Sequence, residues 1–397
     1  MVSDRQGESW AVVERADQEL RVELISAEAE LAALAPGWDE LVAAMPRPSP
    51  FLLNAWLVEW WRHFGESGRL GVCTAFRGDR LVAGLPLFVR KRLGLRTLEF
   101  VGGTKAALAD VMLRPEEGDS TAAAVAEGPD GLEHDFANLF GLTAESRLAR
   151  TPAWRGLQLI ERLEAPILDL SDGWDAVYER KFSSRARQER RRHRRQLEQV
   201  GSVEISIARK PEELGPAFDD AARLYALRWR GRREGSGLLS DEGAKFYRSA
   251  LVRLAEQGVP RVLTLRLDGR PVAANVYLRL SRTLYGLVMA FDPAFARYSP
   301  GSETLYAAFE DGANEGVTRV EFLGAATGHK QRFSDRVEPI YQGIGLARTV
   351  RGRLGADALL AGIRLRRRAK TSETARRLYA HVPRRLTFVG PMPPTDG

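Results

Sequence analysis

Cysteine is nearly absent from this chain: Cys73 stands alone among 397 residues. That excludes a disulfide framework and any cysteine-based zinc site. Histidine is almost as scarce. His63, His134, His193, His329 and His381 are scattered, with no pair at metal-ligand spacing, so no metal is expected. No apolar run approaches the ~20 residues that span a bilayer. The stretch Met1 to Ala16 is polar and charged, unlike a secretory signal. These absences predict a soluble protein in a reducing, cytoplasmic setting. What is present is an ordinary globular composition, 44% hydrophobic, on a chain long enough for about two domains.

The net charge of +7 is unevenly spread. Residues 347–397 hold twelve basic side chains against three acidic ones, a balance of +9, and the rest of the chain sums to −2. A second block, Lys181–Arg195, carries +7, so everything outside the two blocks is about −9. A uniformly basic surface for nucleic acid is ruled out, and two local patches remain.

Hydrophobic spacing predicts helices at Gly37–Ala44 and Ala55–Phe64, the latter with Trp56 and Trp60 on one buried face. Leu70–Phe76 and Arg80–Val89 read as a hairpin around Arg77-Gly78-Asp79, and Leu95–Val101, Asp110–Leu113 and Leu157–Leu163 as further strands. Beyond Pro166 come one or two helices over Trp174–Val200, a strand at Val203–Ile207, and helices at Pro211–Arg230 and Asp241–Glu256. Three antiparallel strands follow (Arg261–Leu267, Val272–Leu280, Leu284–Phe291), then a loop, a helix Ser302–Asn314 and a strand Val317–Leu323. The echo of strand hairpins in the first half suggests an internal duplication. The expected organisation is a flexible N-terminus (1–20), a first domain (21–165), a second (166–346) and a basic helical tail (347–397).

The loop Arg297-Tyr298-Ser299-Pro300-Gly301-Ser302 joins an apolar strand to a helix. A tight turn at Gly301, a cap at Ser302 and the first helical turn would together present N–H groups and a positive dipole end to an anion. Arg297 adds a full charge. A strand–loop–helix–strand unit of this kind matches how the GNAT N-acyltransferase fold holds coenzyme A.

Five stretches carry a wider resemblance: Pro50-Phe51 with Trp56 and Trp60; Gly84-Leu85-Pro86-Leu87; Ser183–Arg195; Ala290-Phe291-Asp292-Pro293 followed by Tyr298–Gly301; and Glu321-Phe322-Leu323-Gly324 leading to His329-Lys330. On these, residues from about Pro50 to Phe333 resemble GNAT acyltransferases of the cellulose-biosynthesis CelD type, related to the double-GNAT FemAB ligases. The resemblance implies an α+β fold of two GNAT-like domains in tandem, each a largely antiparallel mixed sheet flanked by helices. It implies transfer of an acyl group, acetyl or longer, from acyl-CoA or an acyl carrier protein to a primary amine of a small molecule, amino sugar or peptide. Arg297, Tyr298, Ser299, Gly301 and Ser302 would cradle the donor, and a backbone N–H at Val288 or Met289 would polarise its carbonyl. Glu321 or Asp292 would serve as base. His329 or Tyr285 would protonate the thiolate, and Lys330 would hold the acceptor or the carbonyl oxygen. Asp110 and Trp56 would line the acceptor groove.

Each role has a structural counterpart: Asp292-Pro293 is a turn pair, Glu321 could pair with an arginine, and Tyr285 suits a core. The loop Gly102-Gly103-Thr104-Lys105 does not fit a phosphate-loop motif. Spacing on Ser183–Arg195 groups Arg187, Arg191 and Arg194 on one side and Arg185, Arg192 and Arg195 on another, suited to steering a phosphorylated donor. The tail reads as an amphipathic helix pair, with Leu354, Leu359, Leu360 and Ile363 on its apolar side, able to meet the body, a membrane surface or an acidic carrier. Two other readings compete: a FemAB-like ligase whose basic patches hold transfer RNA, and a non-catalytic basic scaffold.

Overall fold

The computed structural model describes residues 19–229, 240–324 and 328–371. Thirteen strands form one mixed, mostly antiparallel sheet flanked by helices. In chain order they are β1 (Leu20–Ile25), β2 (Gly68–Arg77), β3 (Arg80–Arg92), β4 (Leu95–Phe100), β5 (Met112–Leu113), β6 (Phe136–Leu142) and β7 (Gln158–Asp169). The second half contributes β8 (Val203–Ala208), β9 (Pro260–Leu267), β10 (Arg270–Leu280), β11 (Thr283–Phe291), β12 (Arg319–Glu321) and β13 (Arg336–Gly345).

Element order repeats. In each half a strand is followed by helices, three antiparallel strands, a helix, a strand parallel to the third of those, and a last long strand. The last strands are exchanged. β7 follows β6 in the chain but pairs with β12, and β13 follows β12 but pairs with β6. The two meet antiparallel at the middle of the sheet, from Arg336 opposite Ile167 to Ile344 opposite Gln158. The duplication suggested by the hairpin pattern is therefore present as architecture. The junction expected at 165–166 lies inside β7, because strand pairing across the centre carries the chain through Pro166.

The helices Asn54–Phe64 and Asp241–Leu254, one from each half, pack against each other. Trp56, Phe246 and Tyr247 on their inner faces join Phe51 and Tyr285 in close ring contact at separations of 5.0 to 6.2 Å. A second aromatic cluster lies under the helix Pro300–Asn314. There Trp174, Tyr178 and Phe182 pack on Tyr306 and Phe309. This second cluster fixes where the arginine-rich helix Ser184–Glu198 must run. Of the tail, the described residues form one helix, Val350–Thr371, and a second helix expected there would lie outside the described residues.

Candidate active site

The site is built where β11 and β12 part. They pair in parallel at only three positions, from Thr283 opposite Arg319 to Tyr285 opposite Glu321. Leu287 has no partner in the β10 register, since Gly286 faces Tyr277 and Val288 faces Val276. An unpaired residue in one strand bends it and increases its twist, so the bulge turns the rest of β11 away from β12. Gly286 to Phe291 then run along an edge that β12 no longer covers, about 17 Å at strand rise. The C=O of Met289 accepts from Arg228 Nη1 at 3.1 Å, and the same guanidinium lies over Phe291.

At the far end of that edge the chain turns through the short helix Pro293–Tyr298 into the helix Pro300–Asn314. Ser299, not Ser302, is the N-cap, and it carries the left-handed φ of 52° that the turn requires. Gly301 lies one residue inside the helix. A Cβ there would make ordinary contact with Phe291 at 3.4 Å and Met289 at 3.7 Å, so the start of this helix rests on the end of β11. The first turn is anchored by Asn275, whose side-chain amide lies 2.8 Å from Thr304 Oγ1. Arg297 stacks on the Tyr298 ring and donates to its hydroxyl at 2.5 Å.

Beside this helix start is a cavity of about 500 Å³ lined by Tyr178, Arg190, Arg191, Arg194, Arg195 and Glu303. Arg190 makes a bidentate pair with buried Glu303 (2.9 and 3.2 Å) and lies 4.1 Å from the Tyr306 ring centre. Burial works against the Arg190 charge, but Glu303 more than offsets it and raises the guanidinium's pKa. One carboxylate against four arginines leaves the cavity strongly positive. The sequence displayed the arginines but grouped them by spacing alone. Arg187 instead caps the carbonyl of Phe182 at 2.9 Å, while Arg190 and Arg195 join Arg191 and Arg194. Arg297 to Ser302 do not line this cavity.

The remaining candidates divide. Glu321 is 0% exposed and accepts a bidentate pair from Arg47 (2.9 and 2.6 Å) and a bond from Arg319 (3.0 Å). Arg47 and Arg319 also hold Glu338, each at 2.9 Å. Burial pushes the Glu338 carboxyl up, but these two arginines, with Arg336 at 3.2 Å, bring it below its ordinary value. Asp292 caps the Pro293–Tyr298 turn through Ala294 N and pairs with Arg270 at 2.6 Å. Both carboxylates named as bases are committed to arginines. The Tyr285 hydroxyl donates to the Pro48 carbonyl, and burial raises its pKa.

Asp110 is remote in role: its carboxylate accepts from Val111 N, Ser146 Oγ, Arg147 N and Leu148 N, and so fixes a short helix. Trp56 is wholly buried in the aromatic core and presents nothing to an acceptor. Lys330 does lie at the parting of the strands. Its Nζ donates to Leu323 O at 2.8 Å, just where left-handed Leu323 and Gly324 turn the chain away from β12. His329 belongs to the helix Gly328–Phe333; its side chain lies outside the described residues.

Lys105, set aside in the sequence, lies where the two halves meet. Its turn needs glycine at 102, where φ is 104° and a Cβ would meet that of Ala106 at 2.4 Å. Nζ lies over the rings of Phe64, Phe246 and Tyr247, from both halves, at 4.8 to 5.9 Å. Burial lowers its pKa from 10.5 to about 8. In protein carrying ¹³C-dimethylated lysines, the NMR signal lost in Lys105→Arg is expected to titrate near pH 8. A midpoint near 10.5 would refute a desolvated Lys105.

Residues 184–331 match the sequence model of the acetyltransferase (GNAT) domain. This protein is an acyltransferase. Among solved structures, FemX is 10% identical with a TM-score of 0.57, covering 81% of this chain and 96% of FemX. A conserved protein of unknown function from Bacteroides thetaiotaomicron is 12% identical at a TM-score of 0.52, covering 82% of this chain and 100% of that one. No curated protein matches the chain. The matched GNAT segment runs from the arginine helix through β11, the cap at Ser299 and Lys330. Among the described residues, no cluster of histidine, cysteine or carboxylates could hold a metal ion.

Proposed function

We propose that this acyltransferase moves an acyl group from a coenzyme A thioester to a primary amine of a small molecule, amino sugar or peptide. The observation that carries the reading is the arginine-lined cavity at the helix start, placed at one end of the open edge of β11. Phosphates of the donor would occupy the cavity, where charge-assisted hydrogen bonds to arginine are strongest. The pantetheine arm would add to β11 as an extra strand, its amides pairing with the uncovered backbone. The thioester would then sit beside the Leu287 bulge, with the N–H of Val288 or Met289 polarising its carbonyl.

The chemistry needs no side-chain base. The neutral amine attacks the carbonyl carbon, forming the C–N bond. Collapse breaks the C–S bond, and the ammonium proton passes to the departing thiolate. Glu321 and Asp292 keep the framework rather than move protons. Lys330 holds the loop that keeps β12 away from the donor and can steady the carbonyl oxygen. The CelD-type likeness of the quoted motifs fits this reading, and an acyl carrier protein could present the same pantetheine.

Lys330→Met is expected to lower turnover ~10²-fold or more while donor affinity changes less than about threefold. Steady-state rates and calorimetric titration with acetyl-CoA check this; equal turnover would remove Lys330 from the site. The transfer-RNA reading draws on exposed arginines elsewhere on the same helix, such as Arg192. It requires activity that vanishes after RNase and falls steeply with salt, whereas thioester consumption by RNA-free enzyme supports coenzyme A.

A further inference from the structure

The tail helix Val350–Thr371 has two apolar faces, and the body covers only one. Ala356, Leu359, Leu360 and Ile363 are buried against Phe136, Ile344 and Leu95. Leu354, expected among them, points the other way. At 100° per residue, Val350, Leu354, Ala361 and Leu365 fall within about 60° of one another. Val350 is 81% exposed, Leu354 67% and Leu365 57%, and Ala361 is exposed between them. The stripe spans about 22 Å at helical rise. Exposed Arg353 and Arg364 border one edge, together with the single acid Asp357, and Arg351, paired with Asp135, borders the other. The sequence continues with Arg366, Arg367, Arg368 and Lys370, within a segment of twelve basic and three acidic residues.

We propose that this outer face is a docking surface for an anionic lipid bilayer. An apolar stripe edged by arginine is the design of a helix lying in the membrane interface: the aliphatic side chains enter the headgroup boundary and the guanidinium groups stay at phosphate level. Charge complementarity selects the occupant. The tail segment carries +9 while the rest of the chain sums to −2, so an anionic surface is drawn to this end of the chain, where the exposed stripe lies. The described part of the helix is not itself a membrane span. This surface stands apart from the β11 edge, and the proposal does not rest on the donor reading.

The test is flotation of the full chain with vesicles of phosphatidylcholine alone, and of phosphatidylcholine mixed with phosphatidylglycerol, at low and high salt. Binding is expected only to the anionic vesicles, weakening as salt rises. The triple variant Val350→Ser, Leu354→Ser, Leu365→Ser should bind them at least ~10-fold more weakly, with thermal unfolding unchanged. Binding to neither vesicle, equal binding to both, or a folded triple variant that floats like the parent would overturn the proposal. The last of these would leave only diffuse attraction of the basic sequence.

Discussion

Glutamate at both Arg191 and Arg195 is expected to weaken coenzyme A binding by ~100-fold or more, while the fold keeps its thermal stability. Each charged hydrogen bond to a phosphate contributes roughly 1.5–3 kcal/mol, and reversing two charges adds repulsion to the loss. These two positions are chosen because Glu303 is held by Arg190, not by them. Removing Arg190 would strand a buried carboxylate and confuse binding with folding. Isothermal titration of parent and double variant decides the matter. Affinities within about threefold of each other would mean that the arginine cavity is not where the donor's phosphates go.

The second large effect concerns the network that joins the halves. Arg47→Met is expected to cost about 3 kcal/mol of stability, read from urea unfolding. The variant leaves wholly buried Glu321 with Arg319 as its remaining partner and removes one of the three arginines on Glu338. The pH dependence has a definite sign. A carboxyl whose folded pKa is depressed stabilises the fold above its unfolded value and loses that contribution as pH falls through the folded one. Glu338 is such a group, so part of the gap between parent and Arg47→Met should close below about pH 4.5, its ordinary value. A companion variant, Glu321→Gln, separates structure from catalysis. It should be less stable yet keep turnover within about tenfold, where loss of a general base would cost ~10²–10⁴.

Much of this fold was legible in the sequence, because its elements are locally encoded. Alternation around Arg77-Gly78-Asp79 marked the first hairpin, and the apolar runs of Arg261–Leu267, Val272–Leu280 and Leu284–Phe291 marked the second set of antiparallel strands. The strand Val317–Leu323 was expected longer than it is because Val317 and Phe322 are apolar and buried at its ends, although only Arg319–Glu321 forms a ladder. The exchange of β7 and β13 has no local signal at all, since it depends on which distant edge each strand meets. The same limit hid the role of Glu321. Its partner Arg47 lies 274 positions away, and nothing within the strand announces it. At the donor site the arginines were conspicuous, but their seat was not. It depends on Trp174, Tyr178 and Phe182 packing on Tyr306 and Phe309, which swings the helix beside the start of Pro300–Asn314. Leu354 illustrates the converse: grouped with Leu359, Leu360 and Ile363 on one apolar side, it lies by its own spacing on the opposite face and is 67% exposed.

Hydrogen exchange along β11 tests the central claim most directly. With acetyl-CoA present, backbone amides between Gly286 and Ala290 that face the open edge should exchange at least ~10-fold more slowly than in the free protein. Amides of β9, whose ladders are already complete on both sides, should hardly change. Protection confined to the basic segments, or none anywhere at saturating acetyl-CoA, would contradict a donor laid along β11.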